Sequence, residues 1–491
     1  MSAAAPAVAA GEVVELMLEV PRGQVVRYDL AALCSALDIT DATRIAVETD
    51  GSRRAIVTIY PTNPLAQVRA VTREDLVMDR HGRIVVGAYH NGLPVKKRLF
   101  DPSTGSAQRF LLFGTTGGGK SRTLQIQLIA EKVNGIVSWV ADLKFGQSVP
   151  EAEGNVDWFM RAQEAAILML RSAVAVAQER MRRYSAAGRT SFLLGVDPLL
   201  HVWIEEANRL LEKGAPYRDE GTYLIKELGR TGRSVGVGIG LSAQASHLEE
   251  MGGSDTLRAM LKEGEVTLLR WSSSMMRQLV ADGLLPVGEQ LVPIPKTLAP
   301  RVLRSQFDPA GDDDQDDAPG TQGTAYLLSG PRPTALMRHF RVGSIAPMPG
   351  LDPEILALYG PEEPARLEDA SHEAAGEAYA ARNDPSAMAA LCDAVLAEYE
   401  QQQGRPVPLG GGQPGGRPGG QPRRSAARLE DRILAVLAAA QEPMTAGDIL
   451  EAVNADGGRE VRQGSVRNTL GALADAGEVA RLERGLYAMD R

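Results

Sequence analysis

Eight residues constrain this chain more than any others: Gly114-Thr115-Thr116-Gly117-Gly118-Gly119-Lys120-Ser121, set between the apolar run Phe110–Phe113 and a helical pattern over 122–132. Glycines let consecutive backbone N–H groups turn inward, and the N-terminus of a following helix adds its positive end, so strand, loop and helix together cradle phosphate. The glycines, lysine and hydroxyl stand at the spacing of a Walker A P-loop. Lys120 then reaches the β- and γ-phosphates of ATP, Ser121 holds Mg²⁺, and the backbone from Gly114 to Arg122 wraps the phosphate tail. A strand that feeds such a loop belongs to a parallel sheet. Further apolar runs supply it: Ile136–Ala141 ended by Asp142, Leu200–Ile204, Val235–Leu241 and Val266–Leu269, alternating with helical stretches such as 157–187. The expectation is an α/β motor domain over 100–348.

A P-loop needs an acidic partner at the end of a neighbouring strand. His201-Val202-Trp203-Ile204-Glu205-Glu206 is an apolar run that ends in two carboxylates. Glu205 is expected in the Mg²⁺ shell and Glu206 is expected to polarise the attacking water. Ser242-Ala243-Gln244 ends the glycine-laced strand Val235–Leu241, which makes Gln244 the candidate that senses the γ-phosphate. The glycines of that strand lack the spacing of a dinucleotide fingerprint.

Taken in order, these residues resemble the FtsK/SpoIIIE family of double-stranded DNA translocases. The family loop G-T-T-G-S-G-K-S differs from this one only at Gly118, and its Asp-Pro-Lys-Gly strand end is similar to Asp142-Leu143-Lys144-Phe145-Gly146. A Met-x-x-Arg-Tyr-like segment is similar to Met181–Tyr184. The family's Asp-Glu pair falls on Glu205-Glu206, with Glu in place of Asp. A last stretch is similar to Arg233–Gly236 and Ser242-Ala243-Gln244. The resemblance covers about 85–345. It implies a RecA-like motor that assembles as a homohexameric ring around duplex DNA, with ATP between subunits and an arginine from a neighbour completing each site. Arg233 is the candidate for that role and Arg230 the other; either serves equally as a surface or DNA-facing arginine.

Around the motor the sequence divides further. Residues 1–12 read as a flexible N-terminus and 13–99 as a small α+β module. Residues 349–403 read as an acidic helical segment, 404–424 as a Gly/Pro linker and 425–491 as a separate small domain. In that last domain Thr445 caps a helix over 446–453, Ser465 begins another, and the strands 479–482 and 485–489 form a wing, an order that resembles a winged helix. Gln463, Ser465, Arg467 and Asn468 then stand at the end of the third helix that meets base edges, and Arg481 and Arg484 on the wing meet phosphate.

Composition narrows the setting. With only two cysteines, Cys34 and Cys392, there is no disulfide framework and no cysteine zinc site. No run of about 18 apolar residues spans a membrane. Septum-anchored members of the resembled family carry membrane helices, so this chain is expected in the cytoplasm, with any recruitment to a membrane left to a partner protein. The net charge of −9 is concentrated in 312–317 and 362–400, which leaves room for a basic surface elsewhere. Two functions fit: an ATP-driven duplex-DNA pump serving conjugative transfer or chromosome partitioning, and an ATP-dependent, sequence-specific DNA-binding switch whose assembly hydrolysis resets.

Overall fold

Five strands in the first unit are buried along their whole length and largely apolar, without alternation, because helices cover both faces of the sheet they build. In the computed structural model β8 (Arg109–Gly114), β9 (Val137–Asp142), β11 (Leu200–Glu205), β12 (Val237–Ala243) and β13 (Glu265–Leu269) are buried at every position. The structure describes residues 12–244, 252–270, 291, 293–296, 320–346, 348–404, 429–440, 443–455, 466, 469–470, 473–474, 479–482 and 486–489. The chain divides into two compact units, Met1–Pro406 and Val407–Arg491.

Before the strands that carry the P-loop come β1 (Val14–Glu19), α1 (Leu30–Ala36), β2 (Ile45–Thr49) and β3 (Arg54–Ile59), a three-stranded antiparallel sheet and one helix closed over Cys34, Ile39, Ile45, Val57 and Ile59. The hairpin β4 (Arg83–Tyr89) and β5 (Pro94–Arg98) belongs elsewhere: it lies at one edge of a ten-stranded sheet. The last two strands of the stretch 13–99 therefore extend the large sheet. A short pair follows, β6 (Phe100–Asp101) with β7 (Ser106–Ala107).

The large sheet runs β10-β9-β11-β12-β8-β13-β14-β15-β4-β5, with β10 (Trp158–Met160), β14 (Thr324–Leu327) and β15 (Met337–His339). From β10 to β13 all pairs are parallel; from β13 onward they are antiparallel. This is a RecA-like α/β core in which β8 lies between β12 and β13. The chain leaves β8 toward one side and later returns to the other, and the crevice at such a switch point is where α/β sheets bind ligands.

The helices are α2 (Lys120–Val133), α3 (Gln163–Ala186), α4 (Asn208–Leu211), α5 (Arg218–Thr231), α6 (Asp255–Lys262), α7 (Pro353–Tyr359), α8 (Asp369–Ala380) and α9 (Pro385–Gly404). The acidic helices α7 to α9 share the apolar core of the large sheet through Ile355, Tyr359, Tyr379, Met388 and Val395. Tyr359 donates to Gln125 at 2.8 Å and Tyr379 to Asp157 at 2.7 Å. The Met181–Tyr184 segment is an anchor: Tyr184 Oη donates to Asp197 at 2.6 Å, and Arg183 pairs with Asp197 and Glu368. Fully buried Arg180 donates to Glu368 and to the carbonyls of Pro198, Val235 and Gly236.

One carboxylate fastens α2 to the sheet. Glu131 has no exposed surface and accepts from Ser138 at 2.5 Å, His201 at 2.8 Å, Trp203 at 2.9 Å and Gln127 at 3.0 Å. Burial works to raise its carboxyl, and these donors outweigh it, holding the group below its ordinary range.

The second unit contains α10 (Leu429–Ala439), β16 (Met444–Thr445), α11 (Ala446–Ala455), β17 (Val479–Leu482) and β18 (Leu486–Met489). Its strands pair β16-β18-β17, and its core joins Ile433, Leu437, Ile449 and Val453 to Val466, Leu470 and Leu473. Thr445 and Asp448 cap α11 reciprocally, each side chain accepting the other's backbone N–H at 3.2 and 3.1 Å.

Lys97 is buried, with Nζ 5.3 Å from the Phe110 ring centre and 5.9 Å from that of Trp203. Burial pushes its ammonium down to about 8. Between pH 8 and the ordinary lysine value the unfolded chain carries a proton that the folded chain has released, so stability gains with rising pH there. Chemical denaturation is expected to show the wild-type protein gaining stability relative to Lys97→Met from pH 8 to pH 10, with no such gain between pH 6 and pH 7.

Candidate nucleotide site

β8 ends at Gly114 and α2 begins at Lys120, and the turn between them is possible only for glycine at key points. Gly117 and Gly119 have φ of 71° and 104°, conformations that L side chains rarely adopt. A Cβ on Gly119 would stand 2.8 Å from the Gly323 backbone nitrogen, and one on Gly114 would stand 2.7 Å from Leu269 Cβ. The loop is thus gripped from β13 and from the segment before β14, where Gly323 N–H donates to the Gly118 carbonyl at 3.0 Å. Lys120 is buried and bends back over the loop to donate to the Gly114 carbonyl at 3.2 Å.

The carboxylates come from neighbouring strand ends. Glu205 and Asp142 stand opposite each other in the β11–β9 register. Asp142 is occupied by its own loop, accepting from the N–H groups of Lys144, Ser148 and Val149. Glu205 is not: Oε1 receives Ser121 Oγ at 3.5 Å, while Oε2 is buried with no hydrogen-bond partner among the described residues. Burial pushes its carboxyl up to about 7; Ser242 and Lys120 pull it down, and Glu206 and Asp142 push it further up. The long Glu side chain, where the resembled family has Asp, still reaches Ser121.

Glu206 follows in a left-handed conformation at φ 54°, an uncommon one for a non-glycine residue. Gln244, at the end of β12, donates Nε2 to Glu206 at 3.2 Å, and Thr116 Oγ1 donates to Gln244 Oε1 at 3.4 Å. A hydrogen-bonded chain therefore runs from the tip of the loop through Gln244 to Glu206.

These residues fit a nucleotide and its metal. Inward N–H groups, the start of α2 and Lys120 suit phosphate. Ser121 with the unpartnered oxygen of Glu205 suits Mg²⁺, which takes one or two protein oxygens and fills its shell with phosphate and water. Mg²⁺ when bound would draw charge from the phosphate oxygens. A P-loop set against strand-end carboxylates in this way is a site fitted to bind a nucleoside triphosphate and its metal.

Other expected residues fall elsewhere. Arg122 is exposed on α2 and faces Asp352, the N-cap of α7, at 3.4 Å. Arg233 lies in the short turn that leads into β12, and Arg230 is exposed at the end of α5. Both stand at the entry edge of the sheet, and β8 alone puts about 17 Å between that edge and the chain's own P-loop. Gln463, Ser465, Arg467, Asn468 and Arg484 lie outside the described residues; Arg481 is on β17 opposite Tyr487, and its side chain lies outside them too. Sequence reasoning missed Arg270, which follows β13 and lies against the loop. Its only sequence signal is a cation ending an apolar run.

No family model matches the sequence, and no curated protein matches it. Among solved structures the chain is similar to the conjugation coupling protein TcpA, in its monomer form with ATPγS, at 16% identity over 67% of this chain and 85% of that one, with a TM-score of 0.42. It is similar to the cytoplasmic domain of the Type VII secretion ATPase EccC of Thermomonospora curvata at 19% identity, covering 62% of this chain but 33% of that one, with a TM-score of 0.42. ATPases 2 and 3 of EssC from Geobacillus thermodenitrificans match at 13% identity over 68% of this chain and 52% of that one, with a TM-score of 0.38. The chain thus spans a third of the EccC domain and about half of the EssC one. Among the described residues no helix is long and apolar enough to cross a membrane, and no group of three His, Cys, Asp or Glu side chains gathers to hold a metal ion.

Gly119→Ala tests the cradle. With its positive φ and the clash on Gly323, titration with a fluorescent ATP analogue is expected to show affinity reduced about five- to 150-fold, from strain on the order of 1–3 kcal/mol.

Proposed function

We propose that this chain is a P-loop ATPase that moves double-stranded DNA through a homohexameric ring, and that its C-terminal unit is a winged helix that selects DNA sequence. The observation that carries the motor reading is the chain Thr116–Gln244–Glu206. It joins the loop that holds the γ-phosphate to the acid that would polarise water. Hydrolysis and release at the loop then shift two strand ends at once, which is what a motor needs from its nucleotide. In this reading Lys120 and the loop bind ATP, Ser121 and Glu205 hold Mg²⁺, Glu206 activates water and Gln244 reports the γ-phosphate.

The ring rests on the arginines. Arg233 and Arg230 are at the sheet edge away from their own loop, so either can serve only a neighbour's ATP. The resemblance of the motif order to the FtsK/SpoIIIE translocases supplies the hexamer and the duplex. For the C-terminal unit, the capped α11 and the β17–β18 hairpin support a winged helix, in which Gln463, Ser465, Arg467 and Asn468 read bases while Arg481 and Arg484 touch phosphate. Such a motor and reader suit conjugative DNA transfer or chromosome partitioning, in the cytoplasm and recruited to a membrane by a partner protein.

Steady-state ATP hydrolysis with and without long duplex DNA tests this. Duplex is expected to stimulate hydrolysis several-fold and single-stranded DNA much less. Lys120→Ala should abolish it, and Glu206→Gln should keep ATP binding while losing about 10²–10⁴ in rate. Slow hydrolysis indifferent to DNA, with site-specific binding retained in Lys120→Ala, would instead establish the nucleotide-controlled DNA-binding switch.

A further inference from the structure

Arg270 is a buried cation whose guanidinium has no carboxylate partner among the described residues. It is 8% exposed, directly after β13, with its backbone in the left-handed region at φ 35°. Nε donates to Thr321 Oγ1 at 3.3 Å and Nη2 to the Lys296 carbonyl at 3.5 Å, both long bonds to neutral acceptors. Burial lowers its ordinary basicity with no acid to oppose it. A guanidinium in this state needs an anion.

The side chain lies along the P-loop. Nη1, the nitrogen with no hydrogen bond to a described residue, is 3.4 Å from where a side chain on Gly117 would begin, and Arg270 Cβ is 3.4 Å from the same point on Gly118. The loop also holds the arginine's backbone: Thr115 Oγ1 donates to the Arg270 carbonyl at 3.0 Å, and Arg270 N–H donates to Thr324. A strained backbone fixed on both sides, presenting a cation beside a phosphate cradle, is an arrangement a merely structural residue does not require.

The sheet order decides which phosphate it meets. Glu205 ends β11, and Glu206 and Gln244 directly follow β11 and β12, on one flank of β8; Arg270 directly follows β13, on the other. The γ-phosphate belongs with the acids and the attacking water, so the nucleoside end of the tail runs toward β13. We infer that Arg270 is a nucleotide-binding residue that grips the α- and β-phosphates of the bound nucleoside di- or triphosphate from the β13 side of the loop. It holds ADP as firmly as ATP, and so it sets how long the product stays. The inference rests on the P-loop reading above.

The test is calorimetric titration of full-length protein with MgADP, alongside steady-state hydrolysis. Arg270→Gln is expected to weaken MgADP by about tenfold to a hundredfold, the equivalent of one lost charged hydrogen bond. KM for ATP should rise by a similar factor while kcat at saturation stays within about threefold. Arg270→Lys, which keeps the charge without the fork, should recover part of the affinity. Wild-type affinity for MgADP in Arg270→Gln overturns the inference. So does a fall in kcat with KM unchanged, which moves the arginine to the γ end, and so does a lower melting temperature in both variants with MgADP affinity intact, which makes it a strut. Failure of the P-loop reading looks different: wild-type protein then binds no MgADP, or Lys120→Ala binds it as well as wild type does.

Discussion

The site depends on a carboxylate that never meets the nucleotide. Glu131 sits at the far end of α2 from Lys120 and Ser121, in the interior, and accepts from Gln127 on its own helix, Ser138 on β9, and His201 and Trp203 on β11. β11 is also the strand that ends in Glu205. The helix that delivers the loop's lysine and hydroxyl is therefore locked to the strand that delivers the carboxylate. Removing one partner from a buried charged network typically costs about 3–5 kcal/mol, so the relative height of helix and strand is not free to drift. Arg180 acts likewise one layer out, holding α8 against the turns that enter β11 and β12.

Much of this was legible from residue order, and for a physical reason. Parallel strands covered on both faces must be apolar throughout, so β8, β9, β11, β12 and β13 stand out as runs, and a loop built on glycine announces the bend that only glycine makes. The antiparallel half of the sheet was hidden. β4 and β5 look like part of the preceding module because nothing in their own residues says that Gly87 pairs opposite His339. The acidic helices looked separate because charge on their outer faces obscures Tyr359 and Tyr379, which are buried in the core of the large sheet. Met181–Tyr184 drew notice as a motif, whereas its atoms are spent on Asp197 and Glu368. Arg270 is marked in the sequence only as a cation ending an apolar run, since its meaning lies in what β13 places beside it.

The strand ends around β8 divide the labour. On one flank, an acid and an amide meet the loop through the Thr116–Gln244–Glu206 chain; on the other, β13 and Gly323 brace it from outside. Acid and support arrive from opposite directions, so the loop is caught between them. A change in its contents has two outlets, one toward β12 and one toward β13, and the two lead to different parts of the chain.

The pairing of β15 with β4 has a consequence for how the protein is made. Residues 83–98 leave the ribosome early, but their sheet neighbour at 337–339 comes about 240 residues later, a delay on the order of ten to fifty seconds at common rates of synthesis. For that time the hairpin has an open edge that any passing strand can join. The charges along β5, Lys96, Lys97 and Arg98, lie on the other side of the hairpin from that open edge. A nascent chain of this kind is exposed to mispairing at β4 until the last strand of the large sheet arrives, and a chaperone that waits with it would guard that edge in particular.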